Sequence, residues 1–331
     1  MSFDFAALGG PIDKGTVIAV VGPTASGKTA LGVALARAFD GEIISGDSMQ
    51  IYRGMDIGTA KVTREEASGV PHHLIDIREP GEAFSAADYQ ELARAEISRL
   101  LDAGRLPIIV GGTGLYIYAA LYNYDFSQSE SVEEAHKSRL IRAELVKAAE
   151  DKGSGFLWQE LRRHDPVSAA KIHENDKKRL IRALEYLRLH GRPISENNQA
   201  VTLPKLIYPA RILGLNTERA ALYQRIDSRV DEMLAQGLEA EARALYDRGL
   251  SMDSQAAQAI GYRQLFAFFR GETDREEAVR RIKQESRRYA KRQLTWFGRN
   301  PDIHWLDSLK SREEAFVEEL IKSWSPVRKS L

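Results

Sequence analysis

Lys28 and Thr29 close the string Gly22-Pro-Thr-Ala-Ser-Gly27-Lys28-Thr29, which fits the pattern G-x-x-x-x-G-K-[ST] in full. An apolar run, Val17-Ile-Ala-Val-Val21, stands directly before it, and the helix-forming stretch Ala30-Leu-Gly-Val-Ala-Leu-Ala-Arg follows. Glycines let backbone N–H groups curl around phosphate oxygens, and a helix N-terminus adds the positive end of its dipole. Lys28 can reach outer phosphates, and Thr29 can hold a magnesium ion. The string therefore specifies a polyphosphate, without saying whether that phosphate belongs to a nucleotide.

Two further turns offer chemistry. In Glu42-Ile-Ile-Ser-Gly46-Asp47-Ser48-Met49-Gln50 a carboxylate lies just past the end of a short apolar run. In open α/β sheets that edge carries the ligand, so Asp47 and Lys28 are expected to be neighbours. Three roles stay open for Asp47: general base, magnesium ligand, or N-cap of the next segment. Val110-Gly-Gly-Thr113-Gly-Leu-Tyr116 repeats the arrangement, as a second phosphate contact through Thr113 or as a tight strand–helix turn. Arg225 and Arg229 share one helix face, poised for bidentate phosphate contact or for pairing with Asp227 and Asp231. His72 and His73 are adjacent in a strand-like run, point to opposite faces and are unsuited to joint metal ligation.

The elements that must position these groups follow from pattern. Strand-like runs at Thr16–Val21, Glu42–Ser45, His72–Ile77 and Pro107–Val110 alternate with helical stretches. One of these runs from Ser85, an N-cap candidate, to Asp102, where Gly104 stops it. Ala210–Leu215 and Ile303–Leu306 supply two more strands after a long helical interval. The fold class is α/β: a P-loop-type doubly wound parallel sheet with an all-helical insertion and additional C-terminal helices. The expected division is a core from residues 1–123, an insertion from 124–200 and the rest of the core from 201–331.

Composition narrows the class. The chain has 331 residues, 47 basic and 47 acidic, so no general basic field attracts nucleic acid. Charge is nevertheless clustered. Arg275–Arg299 carries nine basic residues against three acidic, with Tyr289, Trp296 and Phe297 between them. Lys171–Arg192 carries seven against three. Basic helices with interleaved aromatics suit looped RNA, and are otherwise solvated faces. Zero cysteines exclude disulfides, thiolate zinc sites and cysteine nucleophiles. No apolar run approaches the roughly 20 residues of a membrane span, so the expected setting is cytoplasmic, with no membrane.

In order along the chain, several strings resemble the tRNA dimethylallyltransferase (isopentenyl diphosphate transferase) family. They are Gly22–Thr29, Asp47–Lys61, Val70–Asp76, Gly111–Tyr116, Ile172–Asp176, Arg182–Glu185, Ala259–Tyr262 and Ala290–Trp296. The match runs from about residue 16 to 307. The resemblance implies transfer of a dimethylallyl group from dimethylallyl diphosphate to N6 of the adenosine at position 37 of tRNA, beside the anticodon, releasing pyrophosphate. By that resemblance Gly22, Thr24, Ala25, Ser26, Gly27, Lys28 and Thr29 hold the diphosphate, with Mg2+ at Thr29. Asp47, Thr113 and Arg229 are the implied catalytic residues. The implied tRNA contacts are Asp47, Ser48, Met49, Gln50, Arg179, Arg182, Gly261, Tyr262, Arg263, Lys291, Arg292, Gln293 and Trp296, and the helical insertion grips the anticodon stem-loop. No protein partner is implied, and a monomer is expected. The serine-rich stretch Asn123–Glu134 departs from the family pattern, and Lys178 stands where a glutamine is common. A P-loop kinase for a small molecule or nucleotide is the alternative, since kinases share the first string. An RNA-binding module gated by a nucleotide is a third reading.

Overall fold

The computed structural model describes residues 5–124, 132–197 and 205–325. Six strands form one parallel sheet: β1 Val17–Val21, β2 Gly41–Ser45, β3 His72–His73, β4 Leu106–Gly111, β5 Ala210–Asn216 and β6 Ile303–Asp307. Their order is β3-β2-β4-β1-β5-β6. β1 is buried along its whole length because it lies between β4 and β5 with both faces covered. Val17, Ala19 and Val21 enter one core, while Ile18 and Val20 enter the other.

Helices connect the strands. Before the insertion they are α1 Lys28–Ala38, α2 Arg64–Ala67, α3 Ala86–Asp102 and α4 Gly114–Leu121. Ser85 caps α3 in a reciprocal capping box with Asp88. The insertion contains α5 Val132–Lys152, α6 Ser154–His164, α7 Pro166–Lys171, α8 Lys177–His190 and α9 Ile194–Asn197. After β5 come α10 Arg219–Ala235, α11 Leu238–Asp247, α12 Tyr262–Phe269, α13 Arg275–Phe297 and, beyond β6, α14 Glu314–Trp324.

The third strand is shorter than the sequence pattern suggests. It stops after His73, because Leu74 and Asp76 adopt left-handed backbone at φ 61° and 57°, which a strand cannot continue. The following N–H groups of Ile77 and Arg78 turn to the carbonyl of Ile51. Much of the serine-rich stretch, residues 125–131, lies outside the described residues.

The chain forms two compact units, Met1–Tyr124 with Leu206–Leu331, and Asp125–Lys205. The second has its own core of Leu145, Leu157, Leu161, Leu180 and Leu184. Asp165 ties its short helices together, accepting from the N–H of Ser168 at 2.9 Å and of Ser195 at 3.0 Å. Burial opposes ionisation of this carboxyl, but hydrogen bonds from Ser195 and Ser168 outweigh it and draw its pKa down.

Candidate active site

Because all strands run parallel, the loops after β1, β2 and β4 leave from the same edge of the sheet. Val21 stands opposite Gly111, and Ser45 opposite Val110, so the three turns are side by side. The turn after β1 is curled by left-handed residues, Ala25 at φ 63° and Gly27 at φ 94°. This geometry favours glycine, and at Ala25 it stores strain in the binding loop. Gly27 caps α1 without a side-chain hydrogen bond, so the first N–H groups of that helix face outward for an anion. The Ser26 hydroxyl is buried and has no partner among the described residues.

Lys28 donates to the Pro23 carbonyl at 2.6 Å. Burial, then the nearby Arg229 guanidinium, lowers its pKa to about 7, against an opposing pull from Asp47. Arg229 on α10 reaches the Thr24 hydroxyl at 3.4 Å. Arg225, one turn earlier, bonds Thr217 and Ser308 instead. The acids expected to neutralise these arginines are taken by α13: Asp227 pairs with Arg287 and Asp231 with Lys283. Arg229 is thereby left directed at the loop.

Asp47 does not cap a helix. Its Oδ1 accepts from the Met49 N–H at 2.9 Å, closing an Asx turn. Burial raises its pKa, opposed by the N–H of Met49, by Lys28 and by Arg229. Thr113 precedes α4 and also makes no cap bond. Its hydroxyl accepts from the Ser48 N–H at 3.0 Å, which joins the turns after β2 and β4. Tyr289 of α13 stands beside Thr113 and Gln293, and burial pushes its pKa up to about 12.

The donors suit a hard divalent cation. Thr29 follows Lys28 at the start of α1, and Asp47 brings carboxylate oxygen to the same loop cluster. Another set, Glu42, His73 and Glu96, places its ligand atoms within 4.8 Å of one another. It surrounds the start of β2, at the end opposite Asp47. Arg99 contacts both carboxylates, at 3.2 and 2.6 Å, and Arg105 contacts Glu42 at 3.4 Å. Its negative charge is already balanced by protein.

Three residues expected to meet RNA are turned inward. Gln50 accepts from the Ser45 hydroxyl at 2.9 Å and donates to the carbonyls of Thr59 and Ala60. Tyr262 is fully buried and donates to Glu241, which also accepts three N–H bonds from Asp56, Ile57 and Gly58. Gln293 is 5% exposed and bonds the loop interior. Each lies on the inner side of its element, where a polar group must find protein partners. Gly261 is likewise buried, at the start of α12 with φ 99°.

Other expected contacts are accessible. Arg263, Lys291 and Arg292 are exposed, and Trp296 is 42% exposed against Gly114. Ser48 and Met49 are half-buried beside Asp47. Arg179 and Arg182 are exposed on α8, where Arg179 pairs with Asp176. A groove of about 410 Å³ includes Arg263, Arg270, Arg281 and Arg288 in its lining. Arg270, Arg281 and Arg288 are each paired with a glutamate. The local basic count therefore overstates the free positive charge.

The fold and this loop cluster define a P-loop-type α/β protein with an anion-binding loop beside a carboxylate. Residues 50–300 match the family model for IPP transferase. The chain belongs to that family. It is 54% identical over 305 residues to the tRNA dimethylallyltransferase of Geobacillus kaustophilus, covering 92% of this chain and 94% of that one. With the Bacillus subtilis tRNA dimethylallyltransferase it shares 50% identity over 294 residues, covering 89% and 91%. The crystal structure of the tRNA isopentenylpyrophosphate transferase of Bacillus halodurans matches with a TM-score of 0.66 at 44% identity, over 93% of this chain and 99% of that one. A eukaryotic dimethylallyltransferase acting on tRNA matches with a TM-score of 0.74 at 29% identity, over 88% and 74%.

Sequence reasoning missed several residues around the site. Glu241 shares an amphipathic helix with Glu239 and Asp247, and no spacing marks it as the anchor. Arg312 lies against the loop: a Cβ on Gly27 would stand 3.1 Å from its Nε. Tyr289 had a readable signal, since it lies four residues before Gln293 on one helix face.

Proposed function

We propose that this protein transfers the dimethylallyl group of dimethylallyl diphosphate to N6 of the adenosine beside the anticodon of tRNA, releasing pyrophosphate. One observation carries the reading. A loop formed to hold an anion, with its lysine, shares a sheet edge with a desolvated carboxylate and a threonine. The loop, Asp47, Thr113 and Arg229 all come from one compact unit of the chain.

The mechanism follows from charge. The adenine amine is a poor nucleophile, because its lone pair is delocalised into the ring. Asp47 accepts its proton as the N–C bond forms, and its desolvated position makes it a stronger base than an exposed aspartate. As the allylic C–O bond breaks, negative charge develops on the diphosphate. Lys28, Arg229 and the N–H groups at the start of α1 oppose that charge. Thr113 holds the Ser48 backbone, and so the turn that carries Asp47. Thr29 would hold magnesium, which would supply further neutralisation of the leaving group. The adenine has to leave its stack to reach this site. Arg179 and Arg182 of the insertion, with Arg263, Lys291, Arg292 and Trp296, bind the anticodon stem-loop.

Purified protein incubated with dimethylallyl diphosphate, magnesium and unmodified tRNA is expected to yield prenylated adenosine, read by nucleoside mass spectrometry after digestion. Absence of that nucleoside together with steady ATP hydrolysis would favour a kinase. Binding of tRNA is expected to weaken as salt rises. Lys291→Ala and Arg182→Ala should each lower the slope of log K against log salt by about one. Arg288→Ala should lower it less, because Glu285 already holds Arg288 at 2.6 Å. Equal slopes for all three variants would contradict this ranking.

A further inference from the structure

We infer that Gln293 is a positioning residue for the diphosphate, its side-chain amide fixing the phosphate loop to the turn after β4, rather than an RNA contact. The inference rests on the reading of the loop after β1 as the diphosphate site. Gln293 sits in the tRNA-contacting stretch implied by family resemblance, between exposed Arg292 and exposed Trp296. Its own side chain points the other way. Its Oε1 accepts from the Thr24 N–H at 3.0 Å, and its Nε2 donates to the Gly112 carbonyl at 2.9 Å. The partners fix the amide orientation, because the flipped amide would set N–H against N–H and oxygen against oxygen.

Both ends of this bridge are constrained. A Cβ on Gly112 would lie 2.1 Å from Gln293 Nε2, so glycine at 112 makes room for the amide. Thr24 is held twice, through its N–H by Gln293 and through its hydroxyl by Arg229 at 3.4 Å. One turn before Gln293 on α13, Tyr289 stands beside Thr113. The inner face of α13 therefore reaches both loops that flank Asp47. The Thr24 N–H is withheld from phosphate, and the remaining N–H groups of the loop are set in place before ligand arrives. A loop fixed in advance loses less freedom on binding, which favours affinity.

Steady-state kinetics on the full chain with dimethylallyl diphosphate and tRNA test this. Gln293→Leu removes both bonds at similar volume. It is expected to raise KM for dimethylallyl diphosphate by about tenfold, with KM for tRNA within about twofold. Gln293→Glu keeps the acceptor for Thr24 but faces an oxygen toward the Gly112 carbonyl, so its effect should be intermediate. Gly112→Ala should raise the same KM by pushing the amide aside. In the Gln293→Ala background Gly112→Ala should add little, because the colliding side chain is gone. A raised KM for tRNA with unchanged KM for the diphosphate would overturn the inference, as would full additivity of the last pair. If the wild-type protein makes no prenylated adenosine, the reading of the site fails. If it is active and Gln293→Leu leaves both KM values unchanged, only the role of Gln293 fails.

Discussion

Asp47→Asn is expected to slow prenyl transfer at saturating substrates by about 10²–10⁴-fold, while affinity for dimethylallyl diphosphate stays within about threefold. Asparagine keeps the size of the side chain and an oxygen to accept from the Met49 N–H, so the Asx turn survives. It cannot accept the proton that the adenine amine must lose. A loss of that size equals roughly 3–5 kcal/mol of transition-state stabilisation. The wild-type pH profile gives a second readout. Burial raises the Asp47 pKa above its ordinary 3.8, so the base is protonated, and the rate falls, at a higher pH than for an exposed aspartate. This acid limb should vanish from the residual activity of Asp47→Asn. A variant retaining near wild-type turnover would place the proton acceptor elsewhere.

Lys28→Met is expected to lower kcat/KM by about 10²–10³-fold, because it removes the cation that meets the departing pyrophosphate. Its titration adds a directional test. In the ligand-free protein the pKa is about 7, set by burial and by Arg229. Below that pH the amine is charged and ready for the anion. Above it the amine is neutral, and binding has to restore the proton. Affinity for dimethylallyl diphosphate should therefore fall by about tenfold per pH unit above 7, until the pKa of the bound state is passed. Calorimetry in two buffers of different ionisation enthalpy should detect proton uptake on binding at pH 8. Lys28→Met retains the titration of the diphosphate itself, so the difference between the two proteins isolates Lys28. Equal proton uptake in both would remove Lys28 from the linkage.

Much of the core was legible because its signals are local. An apolar run followed by Gly22–Thr29 encodes a strand, a curled loop and a helix start within a dozen residues. Ser85 and Asp88 likewise write the start of α3 into four positions. The early end of β3 was hidden, since the left-handed turns at Leu74 and Asp76 serve packing against the segment near Ile51 rather than any local preference. The insertion was expected to be all helical, and its helices α6 and α7 begin just after Gly153 and at Pro166.

The sequence by itself determined the chemistry available: an anion-binding loop, a carboxylate at a strand end, and basic helices without a general basic field. These depend on residue type and near neighbours. Only the tertiary structure decided which groups face the site. It directed Arg229 to Thr24 by giving Asp227 and Asp231 to α13. It turned Gln50, Tyr262 and Gln293 inward, although their strings had suggested a surface for RNA. A helix carries residues to every side, and which side meets the core depends on partners far away in the chain. Gln293 joins Thr24 across 269 positions, and no local pattern encodes that contact.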